Sequence, residues 1–339
     1  MKKKMSKNLM ILSLSFLFFS CTLEGEKKTY PMPSWNQTEI KQQIIDYVKM
    51  AKEQIPEEDR IAVFDMDGTI ACETPLWFEM AVSVKGMMDQ LKKNPKLINK
   101  VEYQYAKRLS ENPADTTVLN HWVVNGVNYL DSINFKAFEN TDYEVYVQYA
   151  RNYLAKTKAP KYDRFYADMF YQPMLELLDY LRENKFTVYI VSGSMQGIIW
   201  SICPQTIQLN REHLIGSRQV LTPVYNKKGE TSFVIQKGIF QPKNDGNGKS
   251  LNIYSHIGKI PVFAFGNTTG DFGMFHLVST SSYPNMALLL NHDDAAREYA
   301  YEPYHGTPVP GWKDSISVNK WIQVDMATEF KTVWKTDIQ

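Results

Sequence analysis

Cysteine is scarce in this sequence, and its scarcity excludes two classes of protein. The 339-residue chain contains three cysteines, Cys21, Cys72 and Cys203, and six histidines. Three thiols cannot form the dense disulfide framework of small secreted proteins, and no cluster of Cys and His has the spacing of a zinc site. Cys72 and Cys203 would be able to pair in an exported chain, but we prefer the interpretation that both are buried, unpaired thiols.

A marked excess of charge is lacking as well. Lys and Arg number 38 against 37 Asp and Glu, which gives a net charge of +1, and no basic stripe is present. The sequence therefore predicts no nucleic-acid partner. Apolar residues make up 44% of the chain and charged residues 22%, and no heptad run persists. These values exclude a wholly disordered protein and a coiled coil, and they are typical of a globular fold.

The N-terminus has no apolar run of the roughly 20 residues that a membrane-spanning helix requires. Four lysines within the first seven residues precede a shorter apolar run over residues 10–19, and this pattern predicts a signal peptide over residues 1–20. Ser20-Cys21 resembles the cleavage site of bacterial lipoproteins. That resemblance implies lipidation of Cys21, a tether over residues 21–36 and a membrane-anchored, periplasmic or surface-facing location in the bacterial cell envelope. The alternative is an ordinary secretory signal with an incidental cysteine.

Short apolar runs alternate with helical patterns through much of the chain. A helix is predicted over residues 38–52, and a strand buried on both faces follows at 61–64. Further strands, a helix and a β-hairpin around residues 226–229 come later, and we expect a parallel sheet with helices on both faces. The later strands are predicted at 186–191, 260–265 and 286–290, and the helix at 195–207.

The segment between the first two strands has a different character. Residues 74–185 contain few glycines, many aromatic residues and repeated helical spacings, which predicts a separate unit of four to six helices. The fold class is therefore α/β, a Rossmann-like parallel sheet with an α-helical cap inserted after the first core strand. The core occupies residues 37–73 and 186–300, and residues 301–339 form a wrapping C-terminal extension. The following aromatic residues are expected in the cap core, with a cage for a quaternary ammonium as the alternative: Trp77, Phe78, Trp122, Tyr146 and Tyr149.

Polar residues directly follow each of the three best-defined strands. Residues 65–69 follow the first strand, residues 192–194 the second and residues 266–271 the third. The carboxyl ends of parallel strands meet at one edge of a sheet, where functional residues gather. The three segments are therefore predicted to converge on one cleft.

The predicted cleft is rich in oxygen ligands. Asp65, Asp67, Asn267 and Asp271 offer carboxylate and amide oxygens, a set that suits Mg²⁺ together with a phosphate group. When a carboxylate attacks a phosphate dianion, the like charges repel each other. Each pair of unit charges about 4 Å apart costs about 4 kcal/mol at an effective dielectric constant of about 20. A metal ion and a lysine relieve this repulsion, and Lys249 is the candidate lysine.

Four segments resemble, in order and spacing, the four motifs of the haloacid dehalogenase (HAD) superfamily of phosphatases. They are Asp65-Met66-Asp67-Gly68-Thr69, Ser192, Lys249 and Gly266-Asn267-x-x-x-Asp271. The helical segment between the first two motifs resembles the cap of the phosphoserine-phosphatase-like group. The resemblance covers about residues 61–301.

The resemblance implies a role for each matching residue. Asp65 would be the nucleophile that forms an aspartyl-phosphate, and Asp67 would act as general acid and then general base. Mg²⁺ would be held by Asp65, the Asp67 carbonyl group and Asn267, with Asp271 supporting the metal or its waters. Thr69 would also fix the loop of the first motif. The phosphate-binding residues would be Thr69, Ser192, Gly193 and Lys249.

Two positions depart from the family pattern. Asn267 stands where family members often carry Asp, which lowers the negative charge around the metal. The Glu that phosphoserine phosphatases place nine residues after the nucleophile is Thr74 here, with Glu73 one position earlier. The second departure weakens an assignment to phosphoserine.

Alternative interpretations stay open at three places. Lys249 is preferred over Lys237 and Lys243 because it opens the helix that leads into the third strand. Residues 192–194, taken alone, are equally consistent with an ordinary helix N-cap. The charged residues 292–298 are expected at a helix start on the surface, although they would be able to reach the cleft.

These patterns predict an exported, Mg²⁺-dependent enzyme that hydrolyses a small phosphomonoester through an aspartyl-phosphate. A phosphorylcholine-specific or phosphoserine-specific phosphatase is one alternative. A catalytically inactive, membrane-tethered binding module is another, and the intact pair of Asp65 and Asp67 argues against it.

Overall fold

The computed structural model describes residues 31–119, 123–124, 127–304 and 309–335. The predicted signal peptide, Cys21 and Trp122 lie outside the described residues.

Twelve α-helices and ten strands lie within the described residues. The helices are α1 (Glu39–Gln54), α2 (Phe78–Lys93), α3 (Val101–Glu111), α4 (Thr116–Leu119), α5 (Tyr129–Ala137), α6 (Tyr143–Lys156), α7 (Gln172–Glu183), α8 (Gln196–Thr206), α9 (Asn247–Ile257), α10 (Phe272–Ser279), α11 (Trp312–Val318) and α12 (Met326–Glu329). The strands are β1 (Ile61–Phe64), β2 (Val123–Val124), β3 (Val127–Asn128), β4 (Thr187–Met195), β5 (Leu214–Ser217), β6 (Gln219–Tyr225), β7 (Thr231–Ile239), β8 (Phe263–Gly266), β9 (Met286–Asn291) and β10 (Ile322–Asp325).

Six of these strands form one sheet, in the order β10-β9-β8-β1-β4-β5, and every neighbouring pair is parallel. The central strand β1 is buried along its whole length. Its side chains alternate between two apolar clusters, with Ala62 and Phe64 in one and Val63 in the other. Helix α1 contributes to the first cluster and α10 to the second. The predicted α/β class with a Rossmann-like parallel sheet is therefore confirmed.

Several predicted elements are found with shifted ends. The predicted helix 38–52 is α1, whose first turn is capped by the Thr38 side chain accepting from the Lys41 N–H group. The third predicted strand corresponds to β8, which begins three residues later than predicted. Strand β4 continues past Val191 to Met195, because Met195 pairs with Ser217 of β5 after a register shift. The hairpin of β6 and β7 confirms the turn predicted at residues 226–229.

Helices α2 to α6 and the small β2–β3 pair form the insertion between β1 and β4. The hairpin β6–β7 adds to this unit, since the Asn140 N–H group donates to the Ile235 carbonyl oxygen at 2.9 Å and the Ile235 N–H group to that of Thr141 at 2.9 Å. Helix α7 falls inside the segment predicted as the cap but packs beside β4. It therefore acts as the crossover helix that leads into β4.

Both ends of the described chain pack on the core. Trp35, assigned to the tether from the sequence, is buried, and its indole N–H group donates to the Pro173 carbonyl oxygen at 2.8 Å. The buried Lys41 ammonium donates to the Met32 carbonyl oxygen at 2.9 Å. At the other end, the predicted C-terminal extension supplies β10, the sixth strand of the sheet, as well as the buried Phe330.

Cys72 and Cys203 are free and buried, which confirms the preferred interpretation of two unpaired thiols. The Cys203 sulfur lies 3.7 Å from the Met66 sulfur, and the Cys72 thiol donates to Glu298 at 2.9 Å. Of the helices in the described ranges, none has the length and apolar character needed to cross a bilayer.

Candidate active site

The loop after β1 carries the first predicted site residues. The Asp65 N–H group donates to the Phe265 carbonyl oxygen of β8 at 2.9 Å, which fixes the start of the loop against the neighbouring strand. Gly68 follows with a φ angle of +75°, and a Cβ atom there would overlap the Asn267 amide nitrogen. Glycine is therefore required both by the backbone conformation and by the close approach of Asn267.

A buried lysine lies between two carboxylates beside this loop. Lys249 Nζ donates to Asp65 Oδ1 at 2.5 Å and to Asp271 Oδ1 at 2.6 Å. All three side chains are buried. Of the three lysines considered from the sequence, the structure brings only Lys249 to Asp65, since Lys237 is exposed and Lys243 pairs with Asp131 at 3.2 Å.

Burial and neighbouring charges shift the pKa values of Asp65 and Lys249. Burial raises the pKa of Asp65 well above its ordinary value, and the neighbouring Lys249 opposes that shift. Burial alone would lower the pKa of Lys249, but Asp271 and Asp65 together raise it above its ordinary value. Lys249 is therefore held as a cation beside Asp65, the predicted nucleophile.

Asp271 also holds the loop that follows β8. Its Oδ2 atom accepts from the N–H groups of Asn267 at 2.9 Å and Thr268 at 3.1 Å. Because its Oδ1 atom accepts from Lys249, both oxygens are engaged by protein donors. Asp271 is thus placed to orient Asn267 and Lys249.

Asp67 is held by two hydroxyl groups from the end of β4. Its Oδ2 atom accepts from Ser192 Oγ at 3.1 Å and from Ser194 Oγ at 2.7 Å, whereas its buried Oδ1 atom has no partner among the described residues. Gly193 lies between these serines, and its carbonyl oxygen accepts from the Ser217 hydroxyl at 2.7 Å. Helix α8 has no side-chain cap, so the N-cap interpretation of residues 192–194 is wrong.

The environment of Asp67 is suited to proton transfer. Burial raises the pKa of Asp67 to about 6, the Ser194 and Ser192 hydroxyls oppose the shift, and the charge of Glu73 adds to it. A carboxyl group that titrates near neutral pH can donate a proton in one step and accept one in the next.

Sequence reasoning missed Glu73 as a member of this site. The Asn267 amide nitrogen donates to Glu73 Oε1 at 2.8 Å, so the other end of that amide, Oδ1, faces Thr69 at 3.2 Å. In the sequence, Glu73 differs from its neighbours only as a departure from the family pattern, one residue before Thr74. The contact joins residues 194 positions apart, and no local pattern predicts it.

The segment after β9 was also misassigned. His292 and Glu298 are buried, and no helix begins there, so the expectation of a charged helix start on the surface is wrong. The position of these residues in the sequence indicates a place near the site, because they follow the end of a fourth parallel strand, just as the other three polar segments each follow a strand.

The cap contributes a buried carboxylate close to Asp67. Glu79 in the first turn of α2 is buried, and its Oε1 atom has no partner among the described residues. Burial raises the pKa of Glu79 to about 7; Lys243 opposes this shift and Asp67 adds to it. Of the aromatic residues expected in the cap core, Phe78 and Tyr146 are fully buried, whereas Trp77 and Tyr149 are half-buried against that core.

A parallel sheet with these side chains at its carboxyl edge defines the class of α/β enzymes whose site is assembled from the loops after the strands. Residues 62–276, more than half of the chain, match the family model of haloacid dehalogenase-like hydrolases, and the chain belongs to this family. The predicted enzyme, a hydrolase of the HAD superfamily, is therefore confirmed.

Solved structures give more distant similarities, and no curated protein matches the chain. A protein of unknown function from Bordetella pertussis Tohama I is 12% identical, with a TM-score of 0.48, over 79% of this chain and 98% of that one. A phosphoserine phosphohydrolase-like protein from Francisella tularensis subsp. tularensis SCHU S4 is 12% identical, with a TM-score of 0.42, over 79% of this chain and 97% of that one. Similarities this remote carry no weight for substrate or activity.

Proposed function

We propose that the protein hydrolyses a small phosphomonoester through an aspartyl-phosphate on Asp65. The observation that carries the proposal is the Asp65 carboxylate held 2.5 Å from the buried Lys249 ammonium, two residues before a second carboxyl group. A cation at the nucleophile favours the approach of a phosphate dianion. Asp67 supplies the proton transfers that an alkyl ester requires.

Two steps complete the reaction. In the first, an Asp65 oxygen bonds to phosphorus, the bond from phosphorus to the ester oxygen breaks, and Asp67 gives its proton to the leaving oxygen. In the second, a water oxygen bonds to phosphorus while Asp67 takes back a proton from that water. The bond between phosphorus and Asp65 then breaks, which releases phosphate and restores both carboxyl groups.

Mg²⁺ fits the oxygen atoms beside Thr69. Asp65 Oδ2 and Asn267 Oδ1 both lie 3.2 Å from Thr69 Oγ1, whose single proton can serve only one of them at a time. The two acceptors and the Asp67 carbonyl group would hold the ion, which would neutralise charge on the transferring phosphate. In the described ranges no group of three His, Cys, Asp or Glu side chains is arranged as a metal site. The proposed Mg²⁺ ligands therefore include the Asn267 amide oxygen and the Asp67 carbonyl oxygen in addition to the Asp65 carboxylate.

The proposal is tested with a panel of phosphomonoesters assayed with and without Mg²⁺. We expect turnover that falls by on the order of 100-fold after EDTA treatment and returns when Mg²⁺ is added back. An undiminished rate after exhaustive chelation would contradict the metal requirement. Absence of turnover on every ester with Mg²⁺ present would favour the inactive binding module instead.

The buried carboxylate of the cap favours a particular leaving group. Glu79 Oε1 receives no hydrogen bond from the residues that the structure describes, and the charge of Asp67 acts on Glu79. We infer that the leaving group carries a primary ammonium, whose N–H groups would donate to this oxygen. A quaternary ammonium has no N–H group, and Phe78 and Tyr146 are packed in the cap core rather than exposed as a cage. Phosphorylcholine is therefore the less favoured substrate.

Glu79→Gln tests this assignment. We expect the variant to lose on the order of tenfold in kcat/KM for 2-aminoethyl phosphate and phosphoserine, because a charge-assisted hydrogen bond is replaced by a neutral one. For glycerol phosphate, which carries no ammonium, we expect little change. Glu139→Gln, elsewhere in the cap, serves as the matched control. Equal losses on charged and uncharged esters would refute the assignment.

We propose separately that the chain is exported and anchored through a diacylglyceryl group on Cys21. The basic N-terminus, the short apolar run over residues 10–19 and Ser20-Cys21 support this proposal. Two acyl chains hold a protein on a membrane, whereas one binds only marginally. We expect the wild type to take up a labelled fatty-acid analogue and Cys21→Ser to take up none. An unlabelled wild type would instead indicate plain secretion.

A further inference from the structure

A buried histidine contacts the backbone of the first-motif loop. His292, directly after β9, is 3% exposed, and its Nε2 atom lies 2.7 Å from the Gly68 carbonyl oxygen. A carbonyl oxygen can only accept a hydrogen bond, so Nε2 carries the proton and donates. The two residues are 224 positions apart, and the bond joins the loop after β9 to the loop after β1.

Glu298 fixes the orientation of this imidazole ring. His292 Nδ1 lies 3.1 Å from Glu298 Oε2, an oxygen that also accepts from the Tyr299 N–H group at 2.7 Å. The other oxygen accepts from the Tyr171 hydroxyl at 3.0 Å and the Cys72 thiol at 2.9 Å. A carboxylate engaged on both oxygens cannot swing away, and the ring that it faces keeps one orientation.

Tyr301 limits the remaining freedom of the ring. Its own ring stacks on that of His292, with centroids 4.3 Å apart and planes 17° from parallel. Such a stack prevents tilting of the imidazole. Polar contacts at both ring nitrogens and an aromatic ring against one face therefore hold Nε2 at a defined position opposite Gly68.

The loop needs such a restraint because of its glycine. Gly68 is required by the close approach of Asn267, but glycine also has the widest backbone freedom of any residue. The adjoining Asp67 is held at its side chain by Ser192 and Ser194. The start of the loop is held by the Asp65 N–H group on Phe265. The bond from His292 supplies a further attachment, on the backbone one residue after Asp67.

We propose that His292 is a positioning residue that fixes the first-motif loop through the Gly68 carbonyl group, so that Asp67 meets the leaving oxygen. The proposal rests on the proposed function, because it concerns proton donation in the first step. It assigns Glu298 to the alignment of His292. Neither residue touches the reacting atoms.

Two amide variants separate positioning from general structural support. In His292→Gln the amide nitrogen can occupy the place of Nε2 and still donate to Gly68, whereas in His292→Asn it reaches only the place of Nδ1. For each variant, kcat/KM is measured on 2-aminoethyl phosphate and on p-nitrophenyl phosphate, because kcat/KM reports the first step. The alkoxide needs a proton from Asp67 to leave, and p-nitrophenolate leaves without one.

We expect His292→Asn to lose about 100-fold on 2-aminoethyl phosphate and only about threefold on p-nitrophenyl phosphate, since misplacement affects the proton donor. His292→Gln should stay within about fivefold of wild type on both esters. The control is His256→Asn, because His256 also contacts a carbonyl oxygen, that of Glu212 at 2.8 Å, but on the exposed surface.

Equal losses on the two esters, or a glutamine variant as impaired as the asparagine variant, would overturn the proposal. Thermal unfolding of each variant shows whether it is folded. Where His292→Asn does not fold, Glu298→Gln gives the same test of ester selectivity with a side chain of the same size. Wild-type turnover is measured in the same assay. If the proposed function is wrong, the wild type itself shows no turnover; if only the role of His292 is wrong, the wild type is active and the variants lack the expected ester selectivity.

Discussion

Asp65→Asn should reduce turnover by on the order of 10⁴-fold or more, the scale on which hydrolases lose activity when a covalent nucleophile is removed. An amide oxygen at this position can still accept from Lys249, but it is a poor nucleophile towards phosphorus. The substitution keeps the shape of the side chain and removes one buried negative charge. The fold should therefore be retained, because Asp271 still pairs with Lys249 at 2.6 Å.

The measurement is the initial rate on the best ester of the panel, with a phosphorylated peptide containing Asp65 sought by mass spectrometry after an acid quench. We expect that peptide in the wild type and none in the variant. Asp46→Asn, on the exposed part of α1, is the matched control. A folded Asp65→Asn protein with wild-type turnover would rule out the covalent mechanism.

Lys249→Met should lower both activity and stability. Removal of the ammonium leaves Asp65 and Asp271, both buried, without their shared cation. Breaking a buried charge pair by removing one partner costs about 3–5 kcal/mol of folding free energy. Turnover should fall by on the order of 10³-fold, because a buried cation at the transferring phosphate contributes mainly to the transition state.

The stability loss should depend on pH in a defined direction. Burial and the charge of Asp271 raise the pKa of Asp65, and Lys249 is the group that opposes them. Without the lysine the folded-state pKa rises further above the unfolded value, so the folded protein binds more protons and stability falls as pH rises. Urea unfolding should therefore show a smaller loss for Lys249→Met near pH 5 than near pH 8. A loss that grows towards low pH would contradict this account.

A double variant separates the two effects of Lys249. Adding Asp271→Asn to Lys249→Met removes one of the two facing carboxylates and should recover part of the lost stability. Activity should not recover, since no cation faces the phosphate. Recovery of turnover together with stability would show that Lys249 acts only on the charge balance of the fold.

The position of Glu73 qualifies the departure at Asn267. The family often has a carboxylate at this position, and here Glu73 brings one to 2.8 Å from the amide nitrogen. Negative charge is therefore present one contact away from the predicted metal ligand. The charge of the buried Glu73 also raises the pKa of Asp67, so Glu73 affects the predicted proton donor as well.

Several features were determined by the sequence alone. The apolar run Ile61–Phe64 is buried on both sides because a central parallel strand has no solvent-facing side. Four consecutive apolar residues bounded by polar ones are typical of such a strand. Asp65, Ser192 and Asn267 were predicted to meet because each follows such a strand. Parallel strands in one sheet end at the same edge, so this inference required only local patterns.

Other features were decided only by the tertiary structure. The sequence favoured Lys249 over Lys243, but the contact of Lys249 with Asp65 joins residues 184 positions apart and follows from the packing. The partners of His292 and Glu298 likewise lie in two distant segments of the chain, the loop after β1 and the start of α7. The sixth strand, β10, has a short and mixed sequence that became a strand because β9 offered an unpaired edge. Periodicity reports which face of an element is buried, whereas a side-chain pair between distant segments depends on how the elements pack, and no local pattern carries that information.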